Sequence, residues 1–186
     1  MRKTMNSNKH FMELMETEAS LDEARFMKNV LNKPRKAIKL CDIILKRDPL
    51  NRDAMLIKAG GLGELFLIDD AVKLIDHIIK TWPDHWEAYY LLALNHLSMQ
   101  KNEEGFEALE KSLQLNQNFD NIILKAQILY LTGKGDYMPY VEKARKMDKK
   151  RAENFMKNHF IYDINTVRPT LSEIFNALCF LLKRKK

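Results

Sequence analysis

Residues of matched size recur every 34 positions through the middle of this chain, and that interval constrains the fold more than any other feature. Asp48-Pro49 and Trp82-Pro83 lie 34 residues apart, each just past a strongly helical pattern. Small residues keep the interval at Ala37, Ala71 and Gly105, and again at Ala59 and Ala93. Large apolar residues keep it too: Ile38, Val72 and Phe106 align, as do Leu45, Ile79 and Leu113, and Met55, Tyr89 and Ile123. Small answers small and large answers large, which shared helicity alone would not produce. A repeat of this length holds one supersecondary unit that cannot bury its apolar face alone, so copies must stack.

Each copy reads as two helices. Apolar residues at intervals of three and four predict first helices over 52–66 and 85–99 and second helices over 69–81 and 103–115. Asp69 and Asn102 are helix-start types and are expected to cap the second helices. Extended backward, the register pairs a helix over about 21–31, with Ser20 and Glu23 at capping-box spacing, with one over 35–47 that Pro34 would open. Extended forward, it gives helices over 119–132 and 137–147, with Gly133 and Gly135 in the turn and Asp136 as a cap. A short helix over 9–18 is added at one end. At the other come a helix over 150–163, a break at Asn165–Pro169, and a last helix from Leu171 to about Arg184 behind Thr170 and Glu173.

A 34-residue helix–turn–helix unit resembles the tetratricopeptide repeat. The fullest match is Asp53 to Pro83, with small Ala59 in the first helix, Ala71 opening the second and Pro83 closing the unit. The next copy keeps Ala88, Tyr89, Ala93 and Gly105 but has Gln117 at the proline position, and the preceding half-copy keeps Ala37 and Pro49. The small residue usual late in the second helix is replaced by Ile44 and Ile78; Ser112 keeps it. The resemblance covers about residues 20–148. It implies an all-α, right-handed α-solenoid of stacked antiparallel helix pairs with a C-terminal capping helix. The chain reads as a single helical-repeat domain over 1–186, with the clearest repeats at 52–83 and 86–117, divergent units at 20–49 and 119–148, and capping helices within 150–184.

Charge divides the chain into three parts. Residues 1–50 carry a net +4, residues 51–140 a net −5 and residues 141–186 a net +7. An acidic middle between basic ends does not suit a groove that grips phosphate. The first 20 residues have no apolar core of the kind a secretory signal needs, and no run approaches the ~18 apolar residues of a membrane span. Cys41 and Cys179 each sit in an apolar helical pattern, which reads as buried reduced thiols and a cytoplasmic protein.

Several motifs suggest chemistry and read more simply as structure. Gly60-Gly61-Leu62-Gly63 lacks the Gly-Lys-Ser/Thr ending of a phosphate loop, so it is expected to be a helix with a close crossing. None of the histidines His10, His77, His85, His96 and His159 has metal-ligand spacing. Asp69-Asp70 and Glu103-Glu104 sit at helix starts, where the macrodipole favours carboxylates. No catalytic set, cofactor or small-molecule substrate is implied.

The resemblance implies instead a concave groove lined by the first helices, here Asp53, Leu56, Gly60 and Glu64, then Glu87, Tyr90, Leu94 and Leu97, then Asn121, Leu124, Ile128 and Leu131. Asn121 and Lys125 are isolated candidates for gripping a carboxylate. The lining is apolar with acidic flanks, and it suits a protein or peptide partner, amphipathic or basic. Against this stands the reading that the chain's own elements cover the surface. Two other functions remain open: nucleic-acid association through the basic ends, and a self-associating module that forms homo-oligomers. At the C-terminus, Leu171, Ile174, Phe175, Leu178, Leu181 and Leu182 form an apolar stripe followed by Lys183-Arg184-Lys185-Lys186. That stripe reads as a cap on the last pair, a contact with a second copy, or a touch on an anionic membrane.

Overall fold

The computed structural model describes residues 2–159, with side chains from Met12 to Lys157. Every regular element among the described residues is α-helical: α1 (Arg2–Asn29), α2 (Pro34–Arg47), α3 (Arg52–Glu64), α4 (Ile68–Thr81), α5 (Trp86–Ser98), α6 (Asn102–Leu115), α7 (Phe119–Thr132), α8 (Met138–Met147) and α9 (Lys149–His159). The described helices fall into two compact units, α1–α4 up to Pro83 and α5–α9 from Asp84. In the first unit α2 packs against α1 and α3, and α3 also packs against α1 and α4. In the second unit consecutive helices pack in sequence from α5 to α9.

The 34-residue interval governs burial as well as sequence. The second helices bury Ala37, Cys41 and Ile44 in α2, then Ala71, Ile75 and Ile78 in α4, then Gly105, Leu109 and Ser112 in α6. These are the same three positions, spaced by four and three, and they mark one helix face. The first and smallest of the three is where helices come closest. Gly105 allows no more than it has: a Cβ there would lie 2.8 Å from Leu97 Cγ and 3.2 Å from the Ala93 carbonyl oxygen. Leu97 stands 34 residues after Gly63, so the larger residue in the first helix is matched by a smaller one in the second. The glycine-rich stretch is helical as expected. In α3 Gly61 lies under Ile38 of α2, whose Cγ1 would be 3.1 Å from an added Cβ.

The turns repeat with equal regularity. Asn32, Phe66 and Gln100, again 34 apart, hold left-handed backbone with φ of 50°, 60° and 62°. After α3 the Leu67 amide donates to the Leu62 carbonyl, and after α5 the Lys101 amide donates to the His96 carbonyl, the long closing bond of a Schellman turn. Glycine is the usual occupant of such a position, because other L-residues bring Cβ against the backbone. Among the described residues only the turn after α7 uses one, Gly133 at φ 64°. Phe66 and Gln100 carry no local signal for this geometry; the packing of the two helices imposes it.

Some local expectations need correction. Ser20 opens no helix: α1 runs unbroken through it, and the Ser20 hydroxyl donates to the Glu16 carbonyl at 2.8 Å. No Gly or Pro interrupts 9–29, and Leu21 and Ala24 continue one buried face, so the helices expected over 9–18 and 21–31 are one. Asp69 and Asn102 lie inside the first turns of α4 and α6, whose N-cap positions fall to Leu67 and Lys101 without a side-chain bond. The closing bonds of the preceding turns end there, which places the helix start one residue early. Asp136 accepts from the Met138 amide at 2.9 Å, but the N-cap position of α8 falls to Tyr137, without a side-chain cap bond. The helix expected from 150 onward is described as far as His159, and the helix over 171–184, with Cys179, lies outside the described residues.

Two substitutions test this geometry together. Gln100→Gly relieves the left-handed backbone and raises stability by about 0.5 kcal/mol, the strain relieved less the entropy gained by the unfolded chain. Gly105→Ala forces Leu97 aside and lowers it by about 1–2 kcal/mol, despite alanine's better helix propensity. Urea unfolding of both variants reads the two opposite shifts.

Candidate partner-binding surface

The residues expected to line a groove separate into two sets, one in each unit. In the first unit Leu56 and Gly60 are buried. Asp53 and Glu64, the acidic residues of that set, are ion-paired to α1: Arg25 Nη2 lies 2.6 Å from Asp53 Oδ2, and Lys28 Nζ lies 3.3 Å from Glu64 Oε1. α1 therefore meets the face of α3 that carries these two carboxylates. Sequence spacing gave no sign of either pair, since the partners are 28 and 36 residues apart.

In the second unit Leu97, Asn121, Leu124 and Ile128 are buried. Asn121 joins three chain segments. Its backbone amide donates to the N-cap Asn118 side chain at 3.0 Å, and its Nδ2 donates to the Asn116 carbonyl at 2.7 Å and more weakly to the Ser112 carbonyl at 3.5 Å. The Ser112 hydroxyl lies 2.8 Å from the Trp86 carbonyl and 3.1 Å from Asn121 Oδ1, with a single proton to give to the pair. The end of α6 is thus tied to the starts of α5 and α7. Lys125 is as deeply placed, at 5 % exposure. Its ammonium pairs with Glu110 and sits 3.4 Å from the centroid of the Phe106 ring, with Tyr140 at 6.0 Å. Both groups considered for gripping a carboxylate are satisfied within the protein.

The surface that remains is the face of α5 with Glu87, exposed, and Tyr90 and Leu94, partly buried; Leu131 on α7 is also partly buried. Tyr90 packs edge-on to Trp86 at 6.5 Å. Burial, and then the nearby Asp120 carboxylate, push its hydroxyl well above the ordinary tyrosine value. Arg151 of α9 pairs with Asp120 and lies 4.2 Å from the centroid of the Phe119 ring. A carboxylate beside an aromatic face is an arrangement that holds a guanidinium. Spacing in the sequence could not bring Asp120 and Arg151 together, because α8 intervenes.

Among the described residues no three His, Cys, Asp or Glu side chains converge as a metal site would require, and no helix is long and apolar enough to cross a membrane. Cys41 is a free, buried thiol, pushed up to about 11 chiefly by burial and then by neighbouring Asp42.

Helix pairs at a constant interval, with recurring small residues at their crossings, define a helical-repeat fold of the tetratricopeptide type. The comparisons agree at the level of fold. Among solved structures the chain is similar to MamA from residue 41 to its end, from Desulfovibrio magneticus RS-1, at 21% identity and a TM-score of 0.55 over 73% of this chain and 77% of that one. It is similar to a MamA RS-1 double mutant at 21% identity and 0.55, over 73% and 76%. A further MamA crystal structure matches at 18% identity and 0.54, over 85% of this chain and 93% of that one. No protein-family model and no curated protein matches the chain.

Asn121→Ala removes one half of a buried network, leaving the Asn116 carbonyl without this donor and Ser112 with the Trp86 carbonyl alone, so it costs about 1–3 kcal/mol in urea unfolding. A second expectation concerns pH. Cys41 and Tyr90 hold their protons more tightly folded than unfolded, so their contribution is complete below pH 9. It falls as pH rises from 9 through 11, with Tyr90 adding to the loss above 10. The slope from each group approaches about 1.4 kcal/mol per pH unit. Cys41→Ala and Tyr90→Phe each flatten that alkaline limb relative to wild type, as measured by unfolding at successive pH values.

Proposed function

We propose that this protein is a protein-interaction scaffold that holds a peptide or helix of a partner protein on the outward faces of its first helices, with α5 as the principal reader. The observation that carries this reading is the line Glu87, Tyr90 and Leu94, spaced by three and four on one helix face and not fully covered. It offers an aromatic ring and an aliphatic side chain to an incoming segment. The remaining groove candidates, Asp53, Leu56, Gly60, Glu64, Leu97, Asn121, Leu124, Ile128 and Leu131, then act mainly by shaping and supporting the surface.

A basic, amphipathic segment fits best. Its apolar side chains would lie along Tyr90 and Leu94. That the protein's own Arg151 is held by Asp120 and the Phe119 ring supports a preference for basic side chains. The resemblance to the tetratricopeptide repeat and the likeness in fold to MamA support a role in binding or assembly over a role in catalysis.

A photo-crosslinker placed at position 94 should join the partner segment, and mass spectrometry of the adduct identifies it. Glu87→Lys and Leu94→Asp should each reduce capture at least tenfold while the circular dichroism stays that of wild type. Undiminished capture by both folded variants would remove α5 from the binding surface.

A further inference from the structure

Four lysines crowd the joint between α8 and α9. Asp148 alone separates the two helices, and Lys143, Lys146, Lys149 and Lys150 fall within eight residues of chain around it. All four are exposed, whereas Val141, Ala144 and Ala152 are buried on other faces of the same helices. The neighbouring charges are matched elsewhere. Arg145 takes Glu142, Arg151 takes Asp120, and the Asp148 carboxylate accepts from the Arg151 amide at 2.9 Å. Lys143 bonds to Gln117, a neutral group that leaves its charge uncompensated. Among the described residues Lys146, Lys149 and Lys150 form no ion pair, not even with Glu153, the carboxylate within α9. Lys149 and Lys150 also occupy the first turn of α9, which holds no acidic residue and where the helix dipole disfavours cations. Their placement works against the helix, so it does not serve stability.

We propose that this joint binds the phosphodiester backbone of a double-stranded nucleic acid without reading its sequence. The make-up of the patch selects that partner. A protein interface draws its energy from apolar and aromatic anchors at its centre. Here Tyr140 and Phe155 pack against the core, and Met147, 50 % exposed, is the one apolar side chain beside the lysines at the joint. A single strand is held largely by stacking its bases on exposed rings, and neither ring of these two helices is exposed. A duplex backbone asks only for closely spaced cations: it carries a negative charge every ~1.7 Å of axis, so four neighbouring lysines meet several phosphates together and release their counterions. The patch uses none of the residues assigned to partner binding on α5, so either assignment can fail alone.

Fluorescence anisotropy of the full-length chain with short labelled DNA and RNA duplexes tests the proposal. Binding by wild type is expected to weaken with salt between about 50 and 200 mM, with a log–log slope near −3.6, or about 0.9 for each lysine. The stronger of the two duplexes identifies the source of the backbone. Changing Lys143, Lys146, Lys149 and Lys150 to Gln should weaken binding at least tenfold and flatten the slope, and changing the same four to Arg should preserve both. All four side chains are exposed, so these variants keep the circular dichroism of wild type. Changing Lys183, Arg184, Lys185 and Lys186 to Gln should preserve most of the binding. Four results would overturn the proposal: no binding at the lowest salt, binding unmoved by the change of the four joint lysines to Gln, a tighter hold on a single strand than on a duplex, or an equal hold on polyglutamate.

Discussion

The structure depends on close approach between helices at small residues. Ala37 and Ala71 are fully buried and Gly105 is buried at equivalent points of α2, α4 and α6, where any larger side chain would push a neighbouring helix outward. Packing at short interaxial distance is possible only where the contact residues are small. Once that distance is set, the aligned positions four and seven residues later are buried as well, and their sizes follow. The exchange between Leu97 and Gly105 shows the constraint acting on total volume, since a larger residue in one helix is answered by a smaller one in the next.

Close packing also decides the turns. Residues 32, 66 and 100 take left-handed backbone whether they are Asn, Phe or Gln. The energy that holds Phe66 and Gln100 there comes from the two helices they join, and the turn in its place sets the first residue of the next helix. This explains why the N-cap positions fall at Leu67 and Lys101, ahead of the polar side chains that look like caps. Local preference yields to the register of the repeat.

Polar chemistry in this protein works mostly inward. Asn121 and Ser112 bind three helix ends, Lys125 is enclosed by Glu110 and two rings, and Arg25 and Lys28 neutralise carboxylates on α3. Residues that look like ligand contacts in a linear reading are partnered within the protein, and for the buried ones, Asn121 and Lys125, the cost of desolvation is offset there. The surfaces left for partners are correspondingly few.

The sequence by itself determined the fold class, the length of the repeat, the helix pairs over 34–147 and the residues at the close crossings, because periodicity and side-chain volume are properties of the chain. It also singled out Asn121 and Lys125, as candidates for gripping a carboxylate. Only the tertiary structure decided what those two groups do and that Asp53 and Glu64 are matched by Arg25 and Lys28. Each of these outcomes turns on which side chains meet across 9 to 36 residues of intervening chain. Such meetings are set by how helices pack in three dimensions, and a linear pattern of sizes and charges does not contain them.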